Sequence, residues 1–411
     1  MTAFVVVVFC VVYLGMILGG LPFLQLDRTG VALLGAIALV GAGAVSPEAA
    51  ARSIHLPTLI LLFSFMVISA QMRLGGFYTW VTRRIAALAL TPALLLGALI
   101  GAVAMLSAVF SNDIVCLAVA PVLVDACVAR RLDPVPYLLA LACAANIGSA
   151  ATLIGNPQNM LIGETLRMSF AGYAAAAALP VALGLLVTWG IIVWRVGGRW
   201  TRDVGSTGEV VPERREEELP LDRWQTVKGL TVAAVLVLVF VLLPWPREVA
   251  ALAGAGALLL SRKLHSNKML GLVDWELLVL FIGLFVVNHA LQETGLSALV
   301  VADLAAAGVR LEQPATLFGM TFVLSNVVSN VPAVMLLLPV ATHPVAGTLL
   351  ALVSTLAGNL LIVGSIANII VVNAAARRGL PIDWRRHAGV GIPVTLATLG
   401  LAAVYLGLRL A

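Results

Sequence analysis

A chain of 411 residues that is 61% hydrophobic and only 11% charged is excluded from the ordinary soluble domains, in which about a quarter of residues are charged. Its formal charge of +5 would suggest an anionic partner in a soluble protein, but here membrane topology explains most basic residues, and no nucleic-acid partner follows. The lipid bilayer is the partner that composition demands, because apolar runs of about 17 to 25 residues recur along the chain, long enough to cross about 30 Å of hydrocarbon as helix.

The first run, Ala3 to Gly20, has neither a basic leader nor a clear small-residue cleavage site and reads as a retained first helix. Crossing candidates follow at 29–46, 56–72, 135–154 and 172–194. Two more apolar segments, 91–110 and 112–128, meet at Ser111-Asn112-Asp113. Then comes the one long polar stretch, Arg195 to Lys228, with Glu213-Arg214-Arg215-Glu216-Glu217-Glu218 lying between Pro212 and Pro220, which reads as a solvated linker. The second half offers 229–244, 248–261, 276–291, 346–363 and 388–408, with an extra pair, 314–328 and 331–342, meeting at Ser329-Asn330. The expected organisation is a first transmembrane repeat over 1–194, a linker over 195–228 and a second repeat over 229–411. Cys10, Cys116, Cys127 and Cys143 all fall in apolar runs without CxxC spacing, which favours core packing.

Residue spacing lays one half over the other. Gly76 matches Gly295 at an offset of 219, and Ser111-Asn112 with Pro121 matches Ser329-Asn330 with Pro339 at 218. Gly155 and Asn159 then match Gly364 and Asn368 at 209. Each half holds five crossings plus one pair that dips and returns or crosses twice. Either way the total is odd, so the second half must lie upside down. Alternating the loops places 20 basic residues on one face and 5 (Arg52, Arg167, Arg247, Arg310, Arg409) on the other. By the positive-inside rule the linker is then cytoplasmic and both termini are outside. Trp194, Trp200, Trp224, Trp245, Trp275 and Trp384 lie at or just beyond span ends, where an amphipathic ring is favoured. The fold class is therefore an all-α polytopic membrane protein of two inverted-topology repeats, each with about five transmembrane helices, a re-entrant helical hairpin and a broken helix.

Polar side chains are costly within hydrocarbon, so those interrupting apolar runs at equivalent places in both halves are the first candidates for a binding site. Four clusters qualify. Two are the tips, Ser111-Asn112-Asp113 and Ser329-Asn330, the latter preceded by Ser325-Asn326. The others hold Asn146, Ser149, Thr152, Gly155, Asn156 and Asn159 in the first half and Thr355, Asn359, Gly364, Ser365 and Asn368 in the second. Gly155-Asn156-Pro157 should break a helix, because proline lacks a donor and disfavours helical geometry in the residue before it. Such a break turns carbonyls toward a cation and positive N-termini toward an anion. Asp113 is the one acid in these clusters, Val331 stands in its place in the second half, and it is the expected coupling-ion or proton site. A sodium ion, if that is the coupling ion, is expected near Asn112, Asp113, Asn146 and Asn330. Asp125, His289, Glu293 and Asp303 fall near segment ends, where solvated or interfacial roles are expected.

These clusters resemble those of the ion transporter superfamily, which includes arsenite permeases, NhaD-type sodium-proton antiporters and divalent anion-sodium symporters. Val109-Phe110-Ser111-Asn112-Asp113 with Pro121 and Ser329-Asn330-Val331-Pro332 resemble the paired motifs of the arsenite-permease branch. The resemblance implies substrate and ion at the two tips and two broken helices, with the site-bearing part moving against a static part, and it suggests a homodimer. Carboxylate symporters carry Ser-Asn-Thr at both tips, and Asp113 departs from that pattern in a way that disfavours a dicarboxylate. The expected function is ion-coupled secondary transport of a small inorganic anion or oxyacid, arsenite-like, with H+ or Na+ as coupling ion and no other cofactor. Sodium-proton antiport is the rival, and a di- or tricarboxylate symporter and an ion channel are further alternatives. The sequence has no GxxxxGK[ST] loop for a built-in pump, which leaves only a separate ATPase subunit for that role, no TVGYG filter and no HExxH enzyme motif.

Overall fold

The structure, a computed structural model, describes residues 1–21, 24–201 and 220–410. Most of the stretch expected to be a linker therefore lies outside the described residues. The first half contains α1 (Thr2–Leu18), α2 (Arg28–Gly41), α3 (Pro47–Ser53), α4 (Leu56–Leu74), α5 (Phe77–Ala86), α6 (Pro92–Val109), α7 (Asn112–Ala129), α8 (Pro134–Ser149), α9 (Pro157–Thr165) and α10 (Phe170–Val196). A two-residue antiparallel ribbon, β1 (Gly20–Leu21) with β2 (Leu26–Asp27), joins α1 to α2. The second half contains α11 (Arg223–Leu242), α12 (Arg247–Leu259), α13 (Ser266–Leu270), α14 (Trp275–Glu293), α15 (Leu296–Ala306), α16 (Pro314–Val328), α17 (Asn330–Leu337), α18 (Ala346–Ala357), α19 (Ile366–Arg377) and α20 (Trp384–Leu410). Each helix thus has a counterpart in the same order in the other half.

Local chemistry sets many of the boundaries. Ser46-Pro47, Thr91-Pro92, Asp133-Pro134 and Asn156-Pro157 each place a capping side chain before a proline, which lacks the N–H that the first helical position leaves unbonded anyway. Gly76 and Gly295 have φ of 71° and 73°, a left-handed turn that glycine makes without Cβ strain, and each opens the short helix after a long one. The spacing anchor read from sequence is thus the same backbone turn used twice.

Packing repeats as well. α2 lies on α14 as α4 lies on α12, α7 on α19 as α17 on α9, and α6 on α8 as α16 on α18. The equivalent helices α10 and α20 pack on each other and run antiparallel. Gly184 faces Thr398, while Arg195, further along α10, reaches Gly389, nearer the start of α20. Equivalent helices that cross antiparallel make the halves opposed.

Among the described residues, seven helices, α4, α6, α7, α10, α11, α14 and α20, are long and apolar enough to span a membrane. In α8 every residue from Tyr137 to Ser149 is buried, and in α18 every residue from Leu349 to Ala357, whereas α15 has none. A helix buried on all sides belongs at the centre of a bundle. Gly148 allows that closeness, since a Cβ there would collide with the Ala104 backbone of α6. All four cysteines are free; Cys116, Cys127 and Cys143 are buried, as core packing requires, whereas Cys10 is exposed, against that expectation.

Asp125, expected to be solvated or interfacial, is 57% exposed, and it also pairs with Arg378 of the second half at 2.5 Å. Arg378 follows directly on α19, and α19 packs on α7, so the carboxylate reaches it across the boundary between the halves.

Candidate substrate and ion site at two tips and two breaks

The site is built where α8 and α18 end. Between α8 and α9 the chain leaves the helix over Ala150–Asn156, and between α18 and α19 over Gly358–Ser365, apart from one short 3-10 turn. In the first break Asn159 Nδ2 donates to the Thr152 carbonyl at 3.0 Å. In the second Asn368 Nδ2 donates to the Leu361 carbonyl at 3.0 Å, the same contact seven residues back. Asn156 caps α9, its Oδ1 accepting the Asn159 N–H at 2.9 Å. Gly155 is required sterically, since a Cβ would run into the carbonyls of Ser149 and Ser107.

The breaks are also bonded to each other. Asn146 Nδ2 donates to Asn359 Oδ1 at 2.8 Å and Asn368 Oδ1 at 3.1 Å, and its Oδ1 accepts the Ser365 hydroxyl at 2.8 Å. Thr355, its equivalent at the 209-residue offset, makes the mirrored contacts. Its hydroxyl donates to Asn159 Oδ1 at 3.4 Å and accepts from Asn156 Nδ2 at 3.2 Å and from Gln158 Nε2 at 3.2 Å. Asn156 Nδ2 also reaches Ser149 Oγ at 3.0 Å. Neutral amides and hydroxyls satisfy one another here without burying charge.

The hairpin tips close on this centre. Asn112 Nδ2 approaches Asn146 Oδ1 at 3.5 Å, and Thr152 Oγ1 donates to the Ala108 carbonyl of α6 at 2.5 Å. In the second half a Cβ on Gly358 would lie 3.1 Å from Asn330 Nδ2, and one on Gly364 3.6 Å from Asn326 Oδ1. Ser329 carries the turn between α16 and α17 at φ 76°. Ser111 contributes its backbone N–H, which donates to Ser69 Oγ at 3.2 Å. The side chains of Ser111, Asp113 and Ser329 do not join the hydrogen-bond network. Asp113 sits in the first turn of α7, beside the site rather than within its bonds.

Among the remaining valences, Asn112 Oδ1, Asn326 Oδ1 and Asn330 Oδ1 are buried acceptors without a partner, while Asn359 Nδ2 at the second break is a buried donor without one and the Ser107 and Ser325 hydroxyls are unpaired. Buried polar atoms are nearly always paired, so three such oxygens on the two tips mark a place that receives donors. The group ≥3 His, Cys, Asp or Glu that would hold a resident metal is absent among the described residues.

Three participants escaped the sequence reading. Gln158 lies between Pro157 and Asn159, and its position beside the chosen Asn156 and Asn159 was the available signal. Tyr173, whose hydroxyl donates to the Ala150 carbonyl at 2.7 Å, and His387, whose Nε2 lies 3.1 Å from the Asn359 carbonyl, sit near the starts of apolar helices. Nothing in the local sequence ties them to the breaks.

Two helical hairpins and two broken helices converging on one buried polar centre in an apolar bundle define a membrane transporter. The chain belongs to the citrate transporter family, whose model matches residues 4–357. It is 30% identical to an uncharacterized transporter of Mycobacterium tuberculosis (strain ATCC 25618 / H37Rv), with 94% of each chain covered. It is 29% identical to a silicon efflux transporter of Oryza sativa subsp. japonica over 98% of this chain and 96% of that one. The crystal structure of the Alcanivorax borkumensis YdaH transporter shares its fold, with a TM-score of 0.58 at 14% identity, covering 100% of this chain and 98% of the other.

Proposed function

We propose that this protein is a secondary active transporter for a small inorganic oxyacid or anion, coupled to H+ or Na+ by alternating access. The observation that carries the reading is the set of unpartnered acceptors at the tips, Asn112 Oδ1, Asn326 Oδ1 and Asn330 Oδ1. A hydroxyl-rich neutral oxyacid of the arsenite or silicic acid kind supplies O–H donors to such oxygens. A polyanion such as citrate supplies acceptors and would meet the Asp113 carboxylate as well. The similarity to a silicon efflux transporter supports the neutral oxyacid, and the family's citrate description supports keeping citrate in the test.

Asp113 serves in this reading as the coupling position, since a carboxylate at the hairpin tip is neutralised by a proton or a cation. The charge asymmetry of the loops supports a plasma or inner membrane location with both termini outside and the 195–228 stretch in the cytoplasm. A tag inserted at Gly205 to Gly208 should then be shielded in intact cells. The deciding experiment is flux into proteoliposomes of arsenite, silicic acid, phosphate, sulfate, citrate and sodium under imposed pH and sodium gradients. Oxyacid flux driven by either gradient is expected, and sodium-proton exchange without it refutes the reading.

A further inference from the structure

The halves match at one more place, and differ there. Tyr173 and His387 are both the fourth residue of their helices, α10 and α20, which are 27 residues each. Ala150 and Asn359 both lie five residues before the matched glycines Gly155 and Gly364. The Tyr173 hydroxyl donates to the Ala150 carbonyl, and the His387 ring meets the Asn359 carbonyl. Each half therefore anchors a backbone carbonyl of its break, five residues before the matched glycine, with a side chain from its last helix.

The first anchor is complete. The Tyr173 oxygen also accepts Asn159 Nδ2 at 3.2 Å. The second is not complete. With Nε2–H on the carbonyl, His387 Nδ1 is a buried ring nitrogen without a partner, in a residue only 2% exposed. Gly391 lets the ring come this close, since a Cβ there would collide with the Asn359 carbonyl and sit 3.0 Å from Nε2. The anchored residue also joins the halves, because Asn359 Oδ1 accepts from Asn146.

We infer that His387 is a positioning residue for the second break and that its Nδ1 takes up a proton. The second anchor then has two protonation states, whereas the first has one. A proton from solvent on Nδ1 leaves Nε2–H on the carbonyl and converts a neutral bond into a charge-assisted one, roughly twice as strong. The helices packed on α20 are α10, α18 and α8. α18 carries no titratable side chain, α8 carries Tyr137 and Cys143, and α10 carries Tyr173 and Arg195, whose guanidinium lies against Gly389. On α20 itself stand Arg385, Arg386, Tyr405 and Arg409, with Asp383 just before it. None of these is hydrogen-bonded to Nδ1. The inference extends the proton-coupled reading of Asp113, but its test uses no substrate.

Amide hydrogen exchange of the intact protein in nanodiscs, corrected for intrinsic chemistry, reads both breaks separately. Wild type should protect 358–365 about fivefold more at pH 5 than at pH 8. His387→Tyr should keep the protection and lose its pH dependence, and His387→Phe should lose the protection at both pH values. His387→Gln supplies a second donor that does not titrate, should the tyrosine be poorly accommodated. The break at 149–156 should be unmoved throughout. An equal pH response in wild type and in the Tyr or Gln variant overturns the inference. A failed flux panel would leave this outcome untouched, because the measurement is made without solute.

Discussion

The two halves use the same parts at their breaks and different parts around them. Asn146 and Thr355 make mirrored bonds across the centre, and Asn159 and Asn368 tie their own breaks in the same way. Around that matched core, Asp113 faces Val331 in the alignment and Tyr173 faces His387. The difference separates two demands. The matched residues maintain a framework that opposed halves can share, and the unmatched ones introduce a group that can change charge on one side only. A transporter coupled to an ion needs both, because an equilibrium shifts only when a ligand binds two states unequally.

The sharpest way to break the comparison is to make the tips alike. Asp113→Asn should remove gradient-driven flux, a loss of about 5- to 150-fold if coupling has the usual size, while the protein stays monodisperse. Asp113→Val, which copies the second tip, should do the same. Adding Val331→Asp to that variant moves the acid to the other tip and tests whether either half can carry it. Undiminished coupling in Asp113→Asn would take the residue out of the mechanism.

Next in size is the shared framework. Asn146→Ala strips partners from Asn359, Asn368 and Ser365, all buried, and should cost about 2 kcal/mol. Thr355→Val, with longer contacts of 3.2 to 3.4 Å, should cost about 1 kcal/mol. Thermal unfolding in detergent would rank them. A reversed order would mean that the mirrored contacts do not bear on stability as their geometry indicates.

Much of this was legible in the sequence for a physical reason. Hydrocarbon enforces long apolar helices, so spans declare themselves by length, and a Gly-Asn-Pro run inside one can only be a break. The repeat was legible because Gly76 and Gly295 serve the same left-handed turn and Ser-Asn serves both tips. What composition and spacing do not carry is which side chain meets which across the centre. Asn146 and Thr355 share a register at the 209-residue offset but differ chemically, and only packing reveals that they make mirrored contacts. His387 is a single imidazole at the start of an apolar run, with the local context of any core histidine. Asp125 reads as solvated because its partner, Arg378, is 253 residues away.

That pair and its opposite number give a smaller test. Beyond each broken helix an ion pair reaches the other half: Glu164 of α9 meets Arg247 of α12 at 2.9 Å, and Arg378 meets Asp125 of α7. Glu164 and Arg247 side chains are 10% and 13% exposed, whereas Asp125 is 57% exposed. Water and salt screen the second pair more strongly. Glu164→Gln should therefore cost about 1 to 2 kcal/mol and Asp125→Asn less than about 1 kcal/mol. High salt should weaken only the Asp125 pair. Equal losses in the two variants would show that exposure does not set their difference.

The smallest expected effect separates the halves where each begins. α1 follows Met1 and has no side-chain cap, whereas α11 follows Asp222, whose Oδ1 accepts from Trp224 N at 3.0 Å and Gln225 N at 3.2 Å. The Gln225 N–H, with Lys263 nearby, holds this partly exposed carboxyl below its usual range. A depressed carboxyl stabilises the fold fully above its unfolded value of about 3.9 and loses that contribution as the pH falls through the lower folded value. Asp222→Ala should therefore speed exchange at the Trp224 and Gln225 amides about fivefold at pH 7, the loss of one cap. Acidifying wild type through the lowered folded value should approach the same state, and the variant should show no such step. Strong salt should screen Lys263 and leave the cap bonds in place, since they are short and directed. Were the first amides of α1 as protected as those of α11, the surrounding bilayer rather than Asp222 would be ordering both helix starts.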